Sequence, residues 1–213
     1  MPIPTLDAIE TRVLGALIEK SLATPDSYPL TTNALIAACN QRSSRDPVMD
    51  VTEREVSGAV ERVKRRKLAG VASGAGHRVS KLRHSMDIAL GLSRRELAVL
   101  AVLMLRGPQT PGEIRTRVGR MAEMTSVDEA EEALWMLSER DEPLVAKLPR
   151  QPGQSAERYT HTLLGDVAPL APEAEGDAAE PVSTLAERVA TLEALVETLQ
   201  GDLAALKEAL GAD

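Results

Sequence analysis

The stretch TEREVSGAVERVKRRKLAGVASGAGHRVSKL (52–82) decides the fold. Its first half has Val56, Val60 and Val63 at helical spacing, which gives one apolar face. Thr52 and Glu55 form the signature of a capping box, in which the hydroxyl accepts from the third residue's N–H and the carboxylate reaches back. Val51 and Val56 add a hydrophobic staple. The pattern then changes. LAGVA and HRVSKL read as strands around the turn SGAG. A capped helix that runs straight into a β-hairpin is the second half of a winged helix.

Upstream, TLDAIETRVLGALIEK reads as a helix with Leu6, Ile9, Val13 and Leu17 near helical spacing, and TTNALIAAC as a shorter one. Downstream the layout repeats. SRRELAVLAVLML, TPGEIRTRV and SVDEAEEALWMLSER are three helices, and LVAKL and ERYTHTLL are strands around RQPGQ. Ser93 with Glu96, Thr110 with Glu113 and Ser126 with Glu129 repeat the capping box, and Leu92 with Leu97 the staple. Pro111 sits at a first helical position, where its missing N–H costs nothing. The fold expected is mainly α with small β-hairpins (α+β): two tandem winged-helix (helix-turn-helix) domains, residues 1–84 and 85–165.

The rest of the chain differs. Residues 166–182 are acidic and rich in Ala and Pro, and read as a flexible linker. Over 183–211, Leu185, Val189, Leu192, Val196, Leu199, Leu203, Leu206 and Leu210 form a heptad seam. With Leu185 at d, Arg188 faces Glu193 and Asp202 faces Lys207 of a parallel partner. The expectation is a coiled-coil helix and a homodimer; the other reading is a helix folded back on its own chain.

Of 213 residues, 43% are hydrophobic, 27% charged and 1% aromatic, with no Phe. Such an aliphatic core suits helix packing. No apolar run is long enough to span a bilayer, and MPIPTLDAIETRVLGALIEK has neither a basic start nor a small-residue cleavage site. One cysteine leaves no internal disulfide framework. These features point to a cytoplasmic protein without membrane partners. The net charge of −7 is uneven: residues 1–84 hold 13 Lys/Arg and 9 Asp/Glu, residues 85–165 hold 10 and 12, and residues 166–213 hold 2 and 11.

Four longer motifs carry a family resemblance: EKSLATPDSYPLTTNALIAACNQRSSRDPVM (19–49), SGAGHRVSKLRH (73–84), MLRGPQTPGEIRTRVGRM (104–121) and RQPGQSAERYTH (150–161). They closely resemble the bacterial YceH-like family of uncharacterised proteins, over roughly residues 6–164. That resemblance implies two tandem winged-helix domains, often followed by a coiled-coil segment, and assigns no particular biochemical activity.

Third helices of such domains commonly enter the major groove. With Val56, Val60 and Val63 inward, the outer face of the first domain's third helix is Arg54, Gly58, Glu61 and Arg65, flanked by Arg62. Lys64 to Lys67 form a basic run, Arg78 and Lys81 lie on the wing, and Arg42 and Arg45 in the long loop Asn40–Val51. The nucleic-acid contacts expected are therefore Arg42, Arg45, Arg54, Arg62, Lys64, Arg65, Arg78 and Lys81, against phosphates and, for Arg54 or Arg65, a guanine edge. The competing reading gives the basic run to the helix macrodipole and the loop to self-packing, with Val48 and Met49 as plugs and Asn40 and Gln41 as backbone ties. Shifted by 74 residues, the same face in the second domain is Asp128, Glu132, Trp135 and Glu139. Acids there repel DNA, and a lone Trp in a charged rim suits a protein contact; the alternative is that Trp135 lies against the wing or a neighbouring domain.

No enzyme chemistry is expected. The sequence has no phosphate loop, no GxSxG and no Cys/His metal spacing; His77, His84 and His161 are scattered, and Cys39 reads as a structural thiol. No cofactor is implied. The function expected is a non-enzymatic DNA-binding, regulatory protein acting through the first domain. The alternative is a protein-interaction adaptor using the acidic second domain and the coiled coil.

Overall fold

The computed structural model describes residues 5–72, 80–150 and 156–164. Arg78, both hairpin tips, the acidic linker and the heptad seam Leu185–Leu210 lie outside the described residues. Those described are mainly helical, with small antiparallel strand pairs. In chain order they form α1 (Ala8–Ala23), a 3-10 turn (Pro25–Ser27), α2 (Thr32–Cys39), α3 (Glu53–Arg65), β1 (Ala69–Ala72), β2 (Lys81–His84), α4 (Met86–Leu90), α5 (Arg94–Arg106), α6 (Pro111–Val118), α7 (Val127–Ser138), β3 (Val145–Lys147) and β4 (Tyr159–His161). Strand β1 pairs with β2 and β3 with β4, both antiparallel, with Val71 opposite Leu82 and Ala146 opposite Thr160.

All four capping boxes read from the sequence are formed, at Thr52, Ser93, Thr110 and Ser126. A fifth, Asp7 with Glu10, opens α1. Each strand pair also gains a third member. Leu30 bridges Leu82, and Gln109 bridges Tyr159, both antiparallel. Leu30 and Gln109 each stand one residue before a helix cap, Thr31 and Thr110. The two halves thus share this detail, which a single bridging residue leaves invisible to period-two patterning.

The first helix departs from expectation. The spacing of Leu6, Ile9, Val13 and Leu17 marks a single apolar stripe, yet Glu10 through Ile18 are all buried. The reason is position: α1 packs against α2, α3 and α5 together. Gly15 lies at the crossing with α5, where an added Cβ would stand 3.0 Å from Leu105 and 3.2 Å from the Met104 Cβ. Helix α5 is likewise buried from Glu96 to Leu105. One hydrophobic cluster therefore runs from Leu6 to Leu163 through both halves. Backbone ties cross between them as well: Leu6 N–H donates to the Leu163 carbonyl at 2.7 Å, and Asp46 N–H to that of Leu105 at 2.8 Å.

Candidate nucleic-acid interface

Helix α3 is positioned by its inner face. Val56, Ala59, Val60 and Val63 are buried, and they hold the opposite face outward. Arg54, Glu61 and Arg65 are exposed there, and Gly58 is half-buried. Neither Arg54 nor Arg65 has a hydrogen-bond or ion-pair partner among the described residues. The helix closes with Leu68 N–H donating to the Val63 carbonyl at 3.0 Å and Lys67 N–H to that of Lys64 at 2.9 Å, a Schellman motif. Lys67 fills its left-handed position with φ 60° and is exposed. Beyond it, Lys81 and Arg83 alternate with buried Leu82 on β2, so they share the strand's outer face. Arg83 was missed from the sequence because only the strand's register distinguishes it from an inward residue.

Three of the expected contacts have partners within the protein itself. Arg45 is 6% exposed and serves the protein itself. Its guanidinium donates to both carboxylate oxygens of Glu19 at 3.1 and 2.6 Å, to the Ala38 carbonyl at 2.9 Å and to Gln41 Oε1 at 3.0 Å. Arg62 donates to Glu10 Oε1 at 2.8 Å and Asp7 Oδ2 at 2.6 Å. Glu10 is 1% exposed and also accepts from Arg66 at 2.7 Å; two arginines thus satisfy a buried carboxylate that the sequence reading overlooked. These bonds hold the Arg62 guanidinium above its ordinary pKa, the hydrogen bond to Glu10 foremost. Lys64 donates to Glu61 at 2.8 Å, which neutralises the acid at the centre of the outer face. Arg42, Arg54, Arg65 and Lys81 retain access to solvent.

The long loop is a structural bracket. Asn40 Nδ2 donates to the Val51 carbonyl at 2.9 Å, and Val51 N–H returns to Asn40 Oδ1 at 2.8 Å. Gln41 ties a side chain, Arg45, not backbone. Met49 packs on the core, whereas Val48 is 57% exposed and plugs nothing. Arg12, buried in α1, donates to the Cys39 carbonyl at 3.0 Å and to that of Pro47 at 2.6 Å, and Arg106 donates to Ser44 Oγ at 2.6 Å. Desolvation, then Arg45, lowers the Arg12 pKa.

The matching face of α7 has the opposite character. Ala130, Ala133, Leu134 and Leu137 are buried, and Asp128, Glu131, Glu132, Trp135 and Glu139 are exposed. Trp135 is 59% exposed, so no element among the described residues covers it. Cations of the second half are mostly spent internally: Arg95 on Glu129, Arg117 and Arg158 on Glu113, Arg140 on Glu96, and Lys147 and Arg150 on Glu157. An open groove of about 380 Å³ lies beside the start of α7, lined in part by Pro111, Val127 and Tyr159.

Burial raises the Cys39 thiol to about 11 and depresses His161 to about 4. Desolvation also lowers His84, whose Nε2 lies 2.9 Å from Ser21 Oγ. Among the described residues no group of three or more His, Cys, Asp or Glu side chains is placed to hold a metal ion, and no helix is long and apolar enough to cross a membrane.

Residues 6–154 match the family described as "Protein of unknown function, DUF480". A UPF0502 protein of Geobacter metallireducens is 50% identical over 172 residues, covering 81% of this chain and 76% of the relative. A UPF0502 protein of Shewanella amazonensis is 47% identical over 163 residues, covering 75% and 78%. One of Opitutus terrae is 49% identical over 168 residues, covering 78% and 73%. With a match across most of its length and relatives near half identity, the chain belongs to the DUF480/UPF0502 family of bacterial proteins.

Proposed function

We propose that the protein is a non-enzymatic, cytoplasmic tandem winged-helix protein that contacts duplex DNA through its first half in a regulatory role. The winged-helix reading is supported by the repeated order of three helices and a hairpin, with Leu30 and Gln109 each adding a third strand position. The observation that carries the DNA reading is the asymmetry of two equivalent helices. Helix α3 turns unpaired Arg54 and Arg65 to solvent, where α7 turns Asp128 and Glu139. Lys67, Lys81 and Arg83 extend the cationic surface, and each cation set against a phosphate releases a counterion. Arg45, Arg62 and Lys64 are already paired within the chain and are left out of this surface.

The test is a duplex-DNA titration at several salt concentrations. Affinity should fall steeply with salt, and Arg54→Glu with Arg65→Glu should reduce both affinity and salt slope. Undetectable binding at low salt, or binding indifferent to that pair, refutes the reading. The heptad seam supports a homodimer; light scattering on the full chain and on a chain ending before residue 183 checks it.

A second reading rests on the exposure of Trp135 beside Met136, 48% exposed, within an acidic rim. Such a surface suits a protein contact, and Trp135→Ala tests it by the loss of that contact.

A further inference from the structure

The outer faces of α3 and α7 complement one another, and among the described residues neither is covered. On α3 the face reads Arg54, Gly58, Glu61, Arg65; on α7 it reads Asp128, Glu132, Trp135, Glu139. Set antiparallel, a single register places Arg54 opposite Glu139, Gly58 opposite Trp135, Glu61 opposite Glu132 and Arg65 opposite Asp128. At 1.5 Å per residue the spacings along the two helices agree. Both end pairs are of opposite charge. The one large exposed aromatic meets the one position of the face without a side chain. The like-charge pair in the middle is relieved because Glu61 already accepts from Lys64 at 2.8 Å. The carboxylates of Asp128, Glu132 and Glu139 have no ion-pair partner among the described residues.

We propose that the α7 face around Trp135 docks on the α3 face of a second copy of this chain. The contact joins two different surfaces, so it is heterologous: it propagates or closes as the placement of α3 and α7 allows. One helix face against another makes a small interface of the transient class, dependent on charge and therefore on salt. The consequence for function is competition. DNA and α7 of another copy would occupy the same cations, so self-association would withdraw the α3 face.

Trp135 is the only tryptophan in the chain, so its fluorescence reports its own surroundings. In the full-length protein at low salt, its emission should shift to the blue as concentration rises, with a parallel rise in mass by sedimentation, and both should reverse on adding salt. The pair Arg54→Glu with Arg65→Glu, and separately Asp128→Lys with Glu139→Lys, should each raise the concentration for half-association roughly tenfold. An equimolar mixture of those two proteins should associate again, because one supplies an intact α3 and the other an intact α7. All four sites are exposed, and circular dichroism verifies that each variant is folded. Emission independent of concentration at low salt overturns the proposal, as does a mixture that associates no better than its components. The assay contains no DNA, and the Lys variants of α7 keep the α3 cations, so its failure and that of the DNA reading are separable.

Discussion

Single side chains decide which cations are free and which histidines can charge. Arg45 and Arg54 are both arginines in a basic region, yet Arg45 fixes Glu19 and the end of α2 while Arg54 faces water alone. Sequence spacing could place Arg54, because it lies on a helix with a clear apolar face. It could not place Arg45, whose partners come from α1 and from the loop's own fold. His161 is the residue whose pH behaviour follows most directly. It is 5% exposed, and its Nδ1 has no hydrogen-bond partner among the described residues. Burial depresses its pKa to about 4 from the ordinary 6.5. The folded state therefore holds the ring neutral while the unfolded chain takes up the proton first. The associated stability is fully present above pH 6.5 and is lost as pH falls toward about 4, and amounts to about 3 kcal/mol. His84, shifted the same way, adds to the loss. Denaturant midpoints between pH 7 and pH 4 should therefore fall, and His161→Leu should flatten that fall. A variant with the wild-type slope would assign the acid sensitivity elsewhere.

Among elements, α3 with its terminal turn is both the best-read and the most informative. Its cap, staple, inner face and outer face all follow from the spacing of Thr52, Glu55, Val56, Val60 and Val63. Its end was less legible, since Lys67 gives no sign of a left-handed backbone. Glycine is the residue usually found there, because a side chain in that conformation crowds the following carbonyl. Lys67→Gly should therefore stabilise the protein, by up to about 1 kcal/mol after the added freedom of the unfolded chain is counted. If the α3 surface holds DNA, the same change should weaken binding and lower the salt slope by about one counterion. Stability from chemical denaturation and affinity from a salt series would then move in opposite directions. A gain in stability with unchanged affinity would confine Lys67 to a structural role. Helix α1 shows why other elements were misread: its sequence marks one apolar stripe, but three partners cover it, and Glu10 and Arg12 go under with their own counter-groups. A polar residue buried by later elements leaves no periodic trace.

The described part of the molecule is organised around the contact of α1 with α5, which ties the two halves into one core. The repeat of helices and hairpins was readable because caps and hydrophobic periods are local. The joint was not, because it depends on Gly15 meeting Leu105 and on the loop bonds of Asp46 and Ser44 to the end of α5. A shared core predicts shared unfolding. Gly15→Val forces a branched side chain into the 3.0 Å gap to Leu105 and should cost about 1–3 kcal/mol. The loss should not stay in the first half. Native-state hydrogen exchange should show amide protection falling by similar amounts in α3 and α7, although neither helix contains the substitution. If α3 loosens while α7 keeps its protection, the halves unfold independently, and the α1–α5 contact is only a docking of two separate folding units. If both loosen together, binding at the α3 face and contacts at the α7 face act on one cooperative body, and an event at either is felt by the other through the same buried crossing.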